Sequence, residues 1–179
     1  MPCPRCHVEI AEEVEVCPHC RFTFSVLELQ LPLPLPQAGH INDWAGVLSA
    51  TAAERIAHRC QEVLARTQAE LIVVTVSTTA PVQPAEYIFW LANYWDMGGT
   101  ENRGLLILLA LQERRVESEV GYALEPLLSD AVSAQLLEEH VVPLLRTEQY
   151  AEGMYQAVNV LGKALEAAYW PARRRLWRR

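Results

Sequence analysis

Four cysteines in two Cys-x2-Cys pairs, Cys3-Pro4-Arg5-Cys6 and Cys17-Pro18-His19-Cys20, open the chain with ten residues between them. Each pair suits a tight turn that aims both sulfurs at one point, and two such turns complete a tetrahedral S4 site. Proline at the second position stiffens each turn and leaves later N–H groups free to face sulfur. Cysteines three apart make poor disulfides, and the first residues, Met-Pro-Cys-Pro-Arg-Cys, lack the apolar segment of a signal peptide. The expected compartment is therefore the reducing cytoplasm. Iron would take the same four sulfurs, but nothing else in the chain suggests electron transfer, so zinc is the expected ion. His7 and His19 flank the set as bystanders. Four sulfurs leave no position for water, which makes the ion structural and not catalytic.

Residues 3–24 resemble a zinc ribbon, with Val8, Ile10, Val14 and Val16 supplying strands too short to bury a core. Metal binding then supplies most of the folding energy of this module, residues 1–26. Next comes a Pro-rich linker, residues 27–39, in which Leu29 to Gln37 alternates leucine with proline. Proline at every second position excludes helix and favours an extended spacer or a strap laid on the following domain. Cys60 stands apart in a helical stripe (Ile56, Cys60, Val63, Leu64) and reads as a small buried apolar residue.

The formal charge is −7, yet five of the fifteen Lys and Arg residues sit in the last seven positions, so residues 1–172 carry −12. A body that acidic repels phosphate backbones and argues against nucleic acid as a partner. No segment approaches the roughly 18 apolar residues of a membrane span. The basic tail, residues 170–179, mixes five arginines with Trp170 and Trp177. Such a segment suits an anionic lipid surface in peripheral contact, or an acidic protein face.

From residue 40 to 169 the apolar periodicity alternates between helix and strand. Thr51 to Glu54 reads as a capping box opening a helix to about Thr67, and Leu71–Val76 as a strand buried on both faces. A helix from Gln83-Pro84 to Trp95 follows, then strands over Leu105–Leu111 and Arg115–Val120. A further helix begins at Ser129 or Asp130, and a last one runs from Gln149 to Tyr169 and ends at Pro171. This order predicts an α/β sandwich around a mixed sheet, with the first two strands parallel and the next two antiparallel through a turn at Gln112–Arg114.

Several segments in this region resemble the TPM domain family: His40-Ile41-Asn42-Asp43-Trp44-Ala45-Gly46-Val47-Leu48-Ser49, Ala69–Val76, Glu101–Leu108, Glu113–Glu125, and Val142-Pro143-Leu144-Leu145-Arg146 to Gly153-Met154. The resemblance covers residues 40–165 in order. It implies a three-layer, Rossmann-like α/β/α sandwich. Relatives of this kind include plant thylakoid-lumen proteins linked to photosystem repair, proteins described as acid phosphatases, and calcium binders. Compared with common family forms, Glu113 stands in place of Asp, and Gln149 and Ala151 replace two further Asp residues.

The predicted hairpin brings the loop entering its first strand beside the segment leaving its second. Asp96, Glu101, Asn102, Arg103, Tyr122, Glu125 and Asp130 should therefore share one end of the sheet. Hard oxygen donors of this kind suit Ca2+ or Mg2+, and Arg103 could attract a phosphate. Asp43 should lie at the opposite end, within reach of Arg114. The chain has no Cys-x5-Arg loop, DxD pair or Gly-rich phosphate cradle, so catalytic residues are not identified. The expected function is that of a non-enzymatic binding or scaffold protein, with a protein partner at the ribbon or cleft. A weak metal-dependent phosphatase is the alternative.

Overall fold

The computed structural model describes residues 3–11 and 14–176, the last seven of these by backbone alone. Helix α1 spans Phe24–Gln30, strand β1 Ile41–Asp43, α2 Ala50–Thr67, β2 Glu70–Val76 and α3 Pro84–Tyr94. Strands β3, Gly104–Ala110, and β4, Arg115–Val120, precede α4 (Asp130–His140), α5 (Val142–Arg146) and α6 (Tyr150–Leu176). The sheet is mixed and ordered β1-β2-β3-β4. β2 runs parallel to β3 and β3 antiparallel to β4, as the patterning predicts. The short parallel strand β1, which pairs Asp43 with Thr75, was not expected, because three residues are too few to show an alternation.

Side-chain alternation divides the core into two clusters. Leu71, Val73, Leu105, Ile107 and Leu109 face α2, α4 and α6, whereas Ile72, Val74, Leu106 and Leu108 face α3. These are the three layers of an α/β/α sandwich. The second layer is shared: Cys3, Cys17, Phe22, Leu27 and Leu31 pack in the same cluster as Ile88 and Leu91 of α3. Phe22 and Phe24 both meet the Phe89 ring edge-on, at 6.3 and 6.0 Å. The ribbon is thus part of the wall of the domain.

Local details depart from the sequence reading. The cap of α2 is Ser49, whose Oγ accepts from the Ala52 N–H at 3.2 Å, in place of Thr51. α1 carries helix to Gln30, into the Leu-Pro segment, because the first proline falls only at Pro32 and restricts Leu31. Beyond it the segment lies on the domain, with Leu35 O accepting from Trp95 Nε1 at 3.0 Å. Pro171 does not end α6, whose backbone continues to Leu176; the missing N–H removes one bond without breaking the helix. The side chains of the basic tail lie outside the described residues. Among the described residues, no helix is long and apolar enough to cross a membrane. Cys60 is fully buried, and burial pushes its thiol up to about 12.

Candidate functional site

Cys3, Cys6, Cys17 and Cys20 bring their four sulfurs within 4.8 Å of one another. The Cys3–Cys20 and Cys6–Cys17 separations are both 3.7 Å. A tetrahedron with metal–sulfur bonds of ~2.3 Å has edges of ~3.8 Å, so the spacing fits zinc in a closed S4 shell. The two turns are built alike. His7 N donates to Cys3 O at 2.8 Å and Arg21 N to Cys17 O at 2.9 Å. His7 and Arg21 each take a positive φ, 58° and 63°, to close the turn. The Cys20 N–H, opposed by burial and joined by the His19 N–H, brings the Cys17 thiol down to about 6. Zinc bound here would hold the two knuckles together against α3.

A cleft of about 1290 Å³ runs along the outer edge of β4, walled by the ribbon and α3 on one side and by α4 and α5 on the other. Asp96, Asn102, Tyr122, Glu125 and Asp130 line it. The two loops that carry them touch: Gly121 N donates to Gly104 O at 2.8 Å and Ala123 N to Asn102 O at 3.2 Å. At Gly121 a Cβ would fall 2.4 Å from Asn102 O, so only glycine permits this approach.

Two predicted members lie elsewhere. Glu101 is exposed on the 3-10 turn Gly99–Glu101 and does not line the cleft. Arg103 turns back to the C-terminus of α2, donating to Thr67 O at 2.6 Å and Gln68 O at 3.1 Å. A guanidinium there satisfies orphan helix carbonyls and complements the helix dipole, which removes it as a phosphate ligand.

β4 adds two carboxylates that a strand alternation alone did not single out, Glu117 and Glu119. Burial first, and then the charges of Asp130, Glu125 and Glu117, pushes Glu119 up to about 8. Asp130 is likewise raised, by burial and then Glu125. Among the described residues, the cysteines alone gather three or more metal-type ligand atoms within 4.8 Å. The cleft carboxylates are spread along a groove and are not drawn to one point.

At the other end of the sheet, Asp43 does not pair with Arg114. Its carboxylate accepts from the Val47 N–H at 3.1 Å, the Leu48 N–H at 2.9 Å and the Thr75 hydroxyl. The turn after β1 brings these N–H groups within reach, so backbone donors meet the charge without a cation. Glu113 behaves similarly: Oε1 accepts from Thr78 Oγ1 at 2.6 Å and from Thr79 N at 3.1 Å. Partial burial raises its pKa, but these bonds outweigh it and hold the carboxyl below its ordinary value. Its Oε2 is shielded from solvent and accepts no hydrogen bond among the described residues.

The family model described as the TPM domain matches residues 41–164. Among solved structures, the N-terminal domain of a P. gingivalis protein shares 29% identity at a TM-score of 0.68, over 72% of this chain and 83% of that one. The N-terminal domain of cg2496 protein from Corynebacterium glutamicum shares 19% identity at TM-score 0.57, over 76% of this chain and 83% of its own. BA42 protein from the psychrophilic bacterium Bizionia argentinensis shares 15% at 0.60, over 68% and 83%. These last two share the fold. No curated protein matches. With the family model spanning more than half of its residues, this chain belongs to the TPM domain family.

Proposed function

We propose that the protein is a non-enzymatic binding or scaffold protein: the ribbon is a structural zinc module, and the cleft beside β4 takes a partner or a divalent cation. The observation that carries this reading is the form of the cleft, an elongated groove of about 1290 Å³ with a strand edge as its floor and carboxylates distributed along it. Such a shape offers extended contact, whereas hydrolysis of a phosphomonoester needs groups converging on one phosphorus. The tetrathiolate shell, once filled, leaves no position for water or substrate. Hydrolysis of p-nitrophenyl phosphate by the zinc-loaded chain at pH 4–9, with Ca2+, Mg2+ or Mn2+ supplied, is expected to stay at background. Metal-dependent turnover would overturn the reading, and its loss in Asp130→Asn would assign the chemistry to the cleft beside β4.

A weak metal-dependent phosphatase is the second reading. It is favoured by Asp43 and Glu113, which sit where the parallel strands end, the usual ligand position of an open α/β sheet. In that case the turnover would survive Asp130→Asn and be lost in Glu113→Gln.

A further inference from the structure

We infer that the open edge of β4 is a strand-addition site for an extended cationic peptide, an inference that rests on the binding reading above and names the chemistry of its partner. The edge is available by register. Gly121 N bonds Gly104 O, and Leu105 stands opposite Val120, so the hydrogen-bonded pairs fall at alternate residues. The N–H and C=O groups of Val116, Ser118 and Val120 therefore point away from β3. Among the described residues, none of these groups has a backbone or side-chain partner on the outer side. Six residues of strand give an edge of ~20 Å, long enough for three pairs of ladder bonds.

The walls fit a strand. α3 lines the cleft with Ala85, Ile88, Phe89 and Ala92, and α4 lines it with Ala131, Ala134 and Leu137. One added strand lies ~4.8 Å from β4, and the cleft of about 1290 Å³ beside the edge has room for it.

The charges choose the occupant. Glu117 and Glu119 project to the α3 face of β4, opposite the face on which Ser118 Oγ meets Ser133 Oγ of α4 at 2.6 Å. Glu119 and Glu125 form no ion pair among the described residues, and Glu117 pairs with Arg115 of its own strand. An incoming strand with basic residues two apart would set them beside Glu117 and Glu119, favouring the ionised form of Glu119, which otherwise holds its proton to about pH 8, with small residues between them turned toward α4. Pairing with a second copy of β4 would set Glu117 against Glu117 or Glu119, which charge disfavours. Main-chain bonds would supply affinity and the alternate side chains specificity.

The test uses the zinc-loaded full chain, 15N-labelled, titrated with a capped ten-residue peptide alternating lysine and threonine. Two further versions are N-methylated, one on every lysine and one on every threonine. Only one alternate set of peptide N–H groups can face β4. The expected result is shifts at Val116, Ser118 and Val120, with affinity lost about tenfold or more in one methylated version and kept in the other. Glu117→Gln with Glu119→Gln should weaken the unmodified peptide by about tenfold. Equal binding of both methylated versions would show charge attraction alone and overturn the proposal. No peptide response, with the same amides moved by Ca2+ or Mg2+, would overturn strand addition while the binding reading stands. Silence toward peptide and cations alike would remove both.

Discussion

Arg5 of the ribbon donates through Nε to Glu86 Oε1 of α3 at 2.5 Å, and the other oxygen of Glu86 accepts from the Gln83 N–H at 2.9 Å. One buried carboxylate thus caps α3 and anchors the metal module to it. Arg5 also lies over the Phe22 ring at 5.0 Å. Arg5→Ala should lower stability by about 2 kcal/mol in urea unfolding, since it leaves Glu86 buried without its cation. Arg5→Ala with Glu86→Gln should recover part of that loss. An Arg5→Ala variant as stable as the parent would mean the ribbon is not anchored here.

Gly121→Ala drives a Cβ against Asn102 O, a backbone atom that cannot rotate away. The expected cost is about 2 kcal/mol, with the Asn102 and Ala123 amides displaced in NMR spectra as the two cleft loops separate. Unchanged spectra would contradict the close approach of the loops.

Arg103→Ala should lower stability by about 1 kcal/mol through loss of the cap on α2, while leaving cleft ligands bound as before. Loss of binding without loss of stability would return Arg103 to the cleft.

Glu119 sets a pH dependence. Its folded-state pKa of about 8 lies above the ordinary carboxylate value of about 4.5, so the folded protein holds this proton more tightly. The stability it contributes is complete below about pH 4.5 and lost as pH rises through about 8. Glu119→Gln should therefore match the parent near pH 4 and exceed it by about 1–3 kcal/mol near pH 9, as read from urea midpoints. Equal midpoints at both pH values would contradict the crowding of carboxylates in the cleft.

Much of this was legible before any coordinates. The β-branched run at Leu71–Val76 and the hairpin through Gln112–Arg114 announce the sheet, because buried strands leave unmistakable apolar runs. The cysteine spacing announces the metal centre. The alternation of Arg115–Val120 marks an edge strand, yet not that its outer side opens between two helices, since that depends on where α4 packs. The turn of Arg103 was hidden for a related reason: it responds to the end of a helix 35 residues earlier in the chain. The docking of the ribbon was hidden too. Phe22, Leu27 and Leu31 carry no periodicity that says which surface they will meet.

The four-sulfur site is part of the domain wall, since Cys3 and Cys17 share the core of α3. The most direct measurement is metal content together with thermal unfolding of the full chain before and after chelation. One zinc per chain is predicted, with chelation lowering the melting temperature and exposing α3 amides to hydrogen exchange, because Cys3, Cys17 and Phe22 share its core. A metal-free chain with the same melting temperature and the same protection of α3 would contradict it.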